Sequence, residues 1–168
     1  MRVFIMDRLE QTAQFMLDQH NAKMNFQNLP EALMPSDFDE AYKAQQIFQK
    51  KSGRGELGGF KIALASNIQQ ELCGIDHPIA GGIFANEIKN SPSTFELSTF
   101  HGLGLEFEIA ATLSDDLKPN MGSFNKDNIR QYVKSLSPAF ELIIDREADY
   151  SNINPLTMIT DNAWCSGI

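Results

Sequence analysis

Two glutamates with strand spacing are the first residues whose types and pattern could do chemistry. Glu106 and Glu108 alternate with Leu105, Phe107 and Ile109. Because successive strand side chains point to opposite faces, the two carboxylates share one face and the apolar residues share the other. Such a carboxylate pair can bind a hard divalent cation, which prefers oxygen ligands. The same alternation is typical of a solvated outer face, so the pattern alone leaves both alternatives open.

Two further charged residues interrupt apolar runs. Glu141 lies in the run 139–144, whose other members are apolar, so it is either on a half-exposed face or buried with a partner. Lys61 lies between two apolar residues and shares its strand face with the small Ala63. A lysine in this setting could transfer protons in catalysis, or it could be an edge-strand residue that discourages aggregation.

The histidines and cysteines indicate no second centre. His20, His77 and His101 lack the mutual spacing of zinc ligands. Cys73 and Cys165 are too few for a disulfide scaffold and form no CxxC pair, so isolated thiols in a reducing compartment are expected. The sequence also lacks a GxSxG, Walker or complete GxGxxG motif.

Composition limits the classes of function. The chain has 168 residues, of which 42% are apolar, and this predicts a single domain over 1–168. Its net charge of −8 disfavours nucleic acid and anionic membranes as partners, but a bound cation could still attract a small anion. The N-terminal pattern is not that of a secretory signal, and no apolar stretch reaches membrane-span length. We therefore predict a cytoplasmic protein.

The elements that must position these residues begin with helices. Apolar residues at helical spacing predict a first helix over 3–19, and Ser36 is placed to cap a second one. The first stripe consists of Met6, Leu9, Ala13 and Met16, and the second of Ala41, Ala44, Ile47 and Phe48. Glycine and charge predict a turn over 51–59.

Strand-rich sequence follows, so the predicted class is α+β, with a mainly helical section over 1–56 and strands over 57–168. The expected strands are 60–65, 94–100, 105–113 and 140–144. A short helix is expected at 68–72, and Asn125 is placed to cap another whose stripe is Ile129, Val133 and Leu136. Residues 161–168 show no turn or cap, as if a strand should begin there.

Several segments match motifs of one family in the same order along the chain. Residues 59–66 (Gly-Phe-Lys-Ile-Ala-Leu-Ala-Ser) are similar to G-(W/Y)-K-I-G-L-T-S, and residues 105–110 to E-x-E-I-A. Pro138–Glu141 with Arg146 is similar to P-A-L-E-I-V-D-S-R, and residues 161–163 to D-N-A-S. Residues 39–45 resemble its opening helix, and residues 74–84 the loop after the lysine strand. The chain thus resembles the 2-keto-4-pentenoate hydratase and 4-oxalocrotonate decarboxylase family of the fumarylacetoacetate hydrolase superfamily.

This resemblance implies a fold and a set of roles. The fold is the rolled, mixed β structure of the fumarylacetoacetase C-terminal domain, with helices at its start. By resemblance, Mg²⁺ or Mn²⁺ is held by Glu106, Glu108 and Glu141. Catalytic roles fall to Lys61 and Asp76, and substrate-binding roles to Arg146 and Ser66. The implied substrate is a 2-hydroxy-2,4-dienoate, to which water is added to give a 4-hydroxy-2-oxo acid.

Departures from the family pattern keep other hypotheses open. Ala63 and Ala65 replace a glycine and a threonine, Ile144 replaces an aspartate, and Trp164 replaces a serine. Family members continue beyond Ile168, so we expect an incomplete roll with unpaired edges and exposed apolar surface. The same centre could instead decarboxylate a 2-oxo dioic acid or hydrolyse an acylpyruvate.

A third hypothesis is a non-catalytic remnant or partner subunit. The family implies a homo-oligomer, and a related decarboxylase or a complementary chain is a further expected partner.

Overall fold

The computed structural model describes residues 7–168, so the first six positions, including Met6 of the predicted first helix, lie outside the described residues. Two helices, α1 (Arg8–Asn21) and α2 (Phe38–Lys51), pack together. Their shared core contains the predicted Ala13, Met16 and Phe48, together with Leu17 and Leu29. Among residues 7–168, every helix falls short of the length and hydrophobicity that a bilayer crossing requires.

The cap of α2 is one residue later than predicted. The Asp37 carboxylate, rather than Ser36, accepts a hydrogen bond of 2.8 Å from the backbone N–H of Glu40. The Ser36 backbone N–H donates instead to the Glu40 carboxylate at 2.9 Å. Asp37 has the extended backbone of a cap, which brings its short carboxylate to the unpaired N–H groups of the first turn.

The buried face of α2 is partly polar. Ala41, Ala44 and Phe48 are buried as predicted, but Gln45 and Gln49 are buried beside them, whereas Ile47 is only half-buried. The side-chain N–H groups of the two glutamines donate hydrogen bonds to backbone carbonyls and to a side-chain amide oxygen further along the chain. These bonds satisfy the two buried amide groups. The α2 face therefore binds the later elements through directed hydrogen bonds as well as apolar contacts.

A first antiparallel pair joins β1 (Leu57–Ala63) and β2 (Ile79–Phe84). The predicted alternation is confirmed, but the apolar face of β1 points outward: Phe60 is 73% exposed and Ile62 is exposed as well. Lys61 points inward and is buried. Between the strands lies α3 (Asn67–Cys73), which confirms the predicted short helix.

A longer antiparallel pair joins β3 (Leu103–Leu113) and β4 (Val133–Ile144). One face of this hairpin is apolar and open to solvent, with Phe107 84% exposed and in ring contact with the exposed Phe140 at 5.2 Å. The sequence predicted exposed apolar surface, and these side chains provide it. Helices combined with the two antiparallel pairs confirm the α+β class.

The strand predicted for residues 94–100 does not form. Leu97–Thr99 make a 3₁₀ turn, and the hydroxyls of Ser98 and Thr99 donate hydrogen bonds of 3.0 and 2.7 Å to Glu96. No strand in the described part of the chain pairs with this segment. Serine and threonine hydroxyls favour such local turns over a ladder when no partner strand is available.

The helix predicted after Asn125 forms only as a short 3₁₀ turn at Ile129–Tyr132. The Asn125 side chain accepts from two following backbone N–H groups, at 2.9 and 3.1 Å, and caps only a turn. Val133 and Leu136 belong to β4, where they pair with Leu113 and Ala111 of β3. The helical spacing was therefore coincidental, because the pairing with β3 outweighs local periodicity.

Residues near the end form structure that the sequence pattern did not indicate. A helix, α4 (Pro155–Thr160), is followed by a tight turn at Asn162–Trp164, which contradicts the prediction of no turn over 161–168. No further strand forms within residues 161–168, but Cys165 makes an isolated β-bridge with Ile143, and Ser166 and Gly167 exchange backbone hydrogen bonds of 2.9 Å with Leu142. Helix α4 and the turn after it contribute to a buried apolar cluster, whose members include Ile79, Ile143, Ile159, Ala163 and Trp164.

The approach of β2 to this turn gives a first testable prediction. A Cβ placed on Gly81 would lie 2.4 Å from the backbone oxygen of Asn162, which cannot move without shifting the turn. We expect Gly81→Ala to lower the free energy of unfolding by about 1–3 kcal/mol. Gly59→Ala is the matched control, since its Cβ would lie 3.9 Å from the nearest side chain. Urea unfolding of both variants measures the difference, and equal losses would contradict the proposed clash.

Candidate metal centre

The centre is built on the pairing of β3 with β4. Their register places Glu106 directly opposite Glu141, and strand alternation puts Glu108 two residues along the same face. One carboxylate oxygen from each of the three residues lies within 4.8 Å of the others. The structure therefore brings together all three glutamates that the sequence singled out.

Lys61 reaches the same place from β1. Its Nζ lies 2.9 Å from Oε1 of Glu141, and only 6% and 3% of the two side chains are exposed. Of the two alternatives for Glu141, burial with a partner is thus the one observed. Lys61 is likewise an inward-facing residue and not a solvated edge lysine.

The electrostatics of this group favour a cation. Burial raises the pKa of Glu141, and the nearby carboxylates of Glu106 and Glu108 raise it further, whereas the Lys61 ammonium opposes the shift. With all three glutamates ionised, one ammonium leaves two negative charges uncompensated. A divalent cation would balance them and would remove the repulsion that disfavours ionised Glu141.

The donor set and its spacing fit a hard cation. Mg²⁺ binds oxygen at about 2.0–2.1 Å, so its ligand oxygens lie about 3 Å apart when adjacent and about 4.2 Å apart when opposite. The separations among the three glutamate oxygens are at most 4.8 Å, and Glu106 and Glu108 remain accessible to solvent and can adjust. An all-carboxylate set without nitrogen or sulfur is typical of Mg²⁺, Mn²⁺ or Ca²⁺.

A cavity of about 220 Å³ opens on this centre. Lys61, Glu106 and Glu108 form its charged part. The remaining walls are mainly apolar or aromatic and include Leu64, Leu72, Ile143, Tyr150, Ile153, Met158 and Trp164. Several of these come from α4 and its flanking loops, which the sequence pattern did not predict, so no local periodicity could have identified them.

The other residues assigned by resemblance are not among those that line this cavity. Asp76 is fully exposed and lines a separate, open cleft of about 740 Å³ beside Asp37 and Asn154. Ser66 caps α3, and its hydroxyl and backbone N–H are both engaged with Gln69. A catalytic role for Asp76 and a substrate-binding role for Ser66 stay predictions.

Arg146 is buried in the core. Its guanidinium is 1% exposed and donates to Asp161 at 2.5 Å and to Gln19 at 3.0 Å. His20 lies 2.5 Å from the other carboxylate oxygen of Asp161. Burial alone would raise the pKa of Asp161, but His20 and Arg146 hold it below its ordinary value. Substrate binding by Arg146 stays a prediction, and the observed contacts give it a structural role.

The participation of His20 and Asp161 in this ion-pair network was missed from the sequence. Their contact joins residues 141 positions apart, and neither residue lies at a spacing that indicates pairing. In the sequence Arg146 lies between Asp145 and Glu147, so local ion pairing was the simplest expectation. Only its burial in the structure shows that its guanidinium requires acceptors from elsewhere in the chain.

Comparison with known proteins gives relatives of one kind. No family model matches the chain. It is 32% identical over 127 residues to a 2-keto-4-pentenoate hydratase of Paraburkholderia xenovorans. The aligned region covers 74% of this chain and 46% of that protein. The same values hold for 2-keto-4-pentenoate hydratase 3 of Pseudomonas putida. The hydratase of Paraburkholderia phymatum is 28% identical over 159 residues, covering 94% of this chain and 60% of that protein.

The chain thus spans about half the length of the curated relatives that it matches. Among solved structures, 4-oxalocrotonate decarboxylase from Pseudomonas putida G7, complexed with magnesium and adipate, superposes with a TM-score of 0.81 at 19% identity. The match covers 99% of this chain and 63% of that one, and it shows a common fold. The same enzyme complexed with calcium and acetate gives a TM-score of 0.80 at 18% identity. In sequence the chain is thus similar to 2-keto-4-pentenoate hydratases, and in fold it is similar to 4-oxalocrotonate decarboxylase, in agreement with the family that its motifs resemble.

Proposed function

We propose that this chain carries the metal and proton-transfer groups of a hydratase-type lyase. The reaction adds water to a 2-hydroxy-2,4-dienoate and gives a 4-hydroxy-2-oxo acid. The observation that carries the proposal is the convergence of Glu106, Glu108, Glu141 and Lys61 beside one cavity with largely apolar walls. The names of the curated relatives support the same reaction class.

Glu106, Glu108 and Glu141 would hold Mg²⁺ or Mn²⁺. When bound, the cation supplies a positive charge that attracts the substrate carboxylate and 2-oxygen and stabilises developing enolate charge. The glutamates come from two paired strands, so the ladder fixes their relative positions before any ligand binds.

Lys61 is proposed to be the proton-transfer group. Its ammonium lines the cavity and is held at Glu141, so it is positioned at the metal end, where the ligand carboxylate and 2-oxygen would lie. In the proposed reaction the 2-hydroxyl loses a proton, C5 gains one, and water then adds its hydroxyl to C4 and a proton to C3. The apolar walls favour the carbon tail and limit competing water.

Substitution of Lys61 tests this role. We expect Lys61→Met to lower turnover by about 100- to 10,000-fold, because proton transfer by a positioned side chain is lost. Affinity for Mg²⁺ should stay equal or rise, since a positive charge next to Glu141 is removed. Loss of the dienol's ultraviolet absorbance measures turnover, and calorimetry measures metal affinity.

The exposed Lys43 of α2 provides the control, and Lys43→Met should leave both quantities unchanged. Full turnover by Lys61→Met would remove Lys61 from the mechanism.

Folded wild-type protein that binds Mg²⁺ or Mn²⁺ but leaves the dienol unchanged would reject hydratase activity. Parallel assays with a 2-oxo dioic acid and an acylpyruvate would then identify decarboxylation or hydrolysis by the same centre. Failure to bind either metal would favour a non-catalytic chain.

Assembly also belongs to the proposal. We expect a homo-oligomer, because the exposed apolar side chains of β1 and the β3–β4 hairpin provide surface that a second chain could cover. Light scattering of the purified protein measures its mass in solution.

A further inference from the structure

Trp164 lines the cavity and carries a polar atom without a partner. It is the single tryptophan of the chain and is only 4% exposed. Its indole N–H is buried, and no acceptor among residues 7–168 receives it. Buried donors are normally satisfied, so an unpaired one calls for an explanation such as a bound partner.

The ring is held firmly in this position. Phe26 and Tyr150 contact the indole edge-to-face, with centroid distances of 5.3 and 5.7 Å. The hydroxyl of Tyr150 donates to Asp145 at 2.8 Å. Both neighbours contact the indole through their rings, and neither forms a hydrogen bond with the indole N–H.

The backbone at this point is strained. Asn162, Ala163 and Trp164 have φ values of 55°, 49° and 61°, a left-handed conformation that bulky residues rarely adopt. Asn162 fixes the turn, since its side chain accepts from the Gly82 backbone N–H at 2.7 Å and donates to the Gly82 carbonyl at 2.8 Å. Such strain persists where the surrounding structure enforces it, and it is found preferentially at functional sites.

The cavity distinguishes two ends of a ligand by charge. Lys61 is the only cationic residue among those that line it, and Lys61 is already paired with Glu141. Leu64, Ile153 and Met158 belong to walls that offer no charge to a second carboxylate. A ligand with one carboxylate and a short uncharged tail fits this lining better than a dianion does.

We propose that Trp164 is the specificity-determining residue of this site. Its ring limits the space for the ligand tail, and its N–H donates a hydrogen bond to an uncharged oxygen on that tail. The hydroxyl of a 4-hydroxy-2-oxo monocarboxylate provides such an oxygen. This inference rests on the proposed function, because the metal centre must bind the other end of the ligand.

Three five-carbon probes test it on the Mg²⁺-loaded protein: 4-hydroxy-2-oxopentanoate, 2-oxopentanoate and 2-oxoglutarate. Calorimetry measures affinity, and the tryptophan emission, excited selectively over tyrosine, arises from Trp164 alone. We expect the 4-hydroxy acid to bind about 2- to 10-fold more tightly than 2-oxopentanoate, the contribution of one neutral hydrogen bond. Both should change the Trp164 emission, whereas 2-oxoglutarate should bind the most weakly.

Trp164→Phe removes the N–H and keeps an aromatic ring, so it should abolish the preference for the 4-hydroxy acid while 2-oxopentanoate still binds. Leu72→Ala is the control, because Leu72 also lines the cavity but has no polar side-chain atom, and the preference should persist. The inference would be overturned by an unchanged preference in Trp164→Phe, or by ligand binding without a change in wild-type emission. Neither result would affect the proposed metal centre. Absence of Mg²⁺ and Mn²⁺ binding in a titration without probe would instead overturn the proposed function, and this inference with it.

Discussion

Glu108→Gln is expected to weaken Mg²⁺ or Mn²⁺ binding by about 100-fold or more, which corresponds to about 2.7 kcal/mol. The substitution keeps the size of the side chain but removes one of three negative charges whose oxygens lie within 4.8 Å of one another. A neutral amide is a poorer ligand for a hard cation than a carboxylate. The proposed hydration should decrease with the metal affinity, and a higher metal concentration should partly restore it.

Glu108 suits this experiment because its side chain is exposed and its replacement leaves the buried Lys61–Glu141 pair intact. The free energy of unfolding without metal should therefore change by less than about 0.5 kcal/mol. The exposed Glu31 serves as the control, and Glu31→Gln should bind metal like the wild type. Equal metal affinity in Glu108→Gln and the wild type would remove Glu108 from the centre.

Asp161→Asn is expected to lower the free energy of unfolding by about 3–5 kcal/mol, because it leaves a buried cation without its counter-charge. Arg146 is 1% exposed, and its guanidinium donates to Asp161 at 2.5 Å. His20 loses its carboxylate partner at the same time. Urea unfolding at pH 7 measures the loss, and Asp127→Asn, at an exposed position, is the control.

The same carboxylate sets a dependence on pH. In the folded protein its pKa lies below the ordinary value, since His20 and Arg146 outweigh the effect of burial. Its stabilising contribution is therefore complete above the unfolded pKa of about 3.9 and is lost as the pH falls through the lower folded pKa. Asp161→Asn should lack this part of the acid-induced loss. A parallel decline in both proteins below pH 4 would contradict the assignment.

This network also affects the candidate site. Asp161 directly precedes Asn162, which fixes the turn that holds Trp164 at the cavity. Loss of the Asp161 charge should therefore loosen the cavity wall as well as the core. Its effect on ligand affinity should exceed that on metal affinity, since the three glutamates lie on a different pair of strands.

Local periodicity was enough to predict the charged faces of two strands. A strand repeats every two residues, so the order of residues 105–109 by itself places Glu106 and Glu108 on one face. The same reasoning separates Lys61 from Phe60 and Ile62. The matching segments then indicated the family, and the comparisons confirm it.

Long-range pairing decided the rest. Periodicity does not say which face is buried, and the structure turns Lys61 inward while the apolar face of β1 is exposed. The opposition of Glu106 and Glu141 depends on the β3–β4 register, which also places Val133 and Leu136 of the predicted helix in a strand.

The contacts farthest apart in sequence were the least predictable. His20, Arg146 and Asp161 meet only because α1, the chain after β4 and the turn after α4 fold against one another. Trp164 gains its place at the cavity from the Asn162 contacts with β2. The sequence by itself thus determined which residue types share a strand face, because that depends on backbone geometry alone. Only the tertiary structure decided which faces meet, because that depends on burial and pairing across the whole chain.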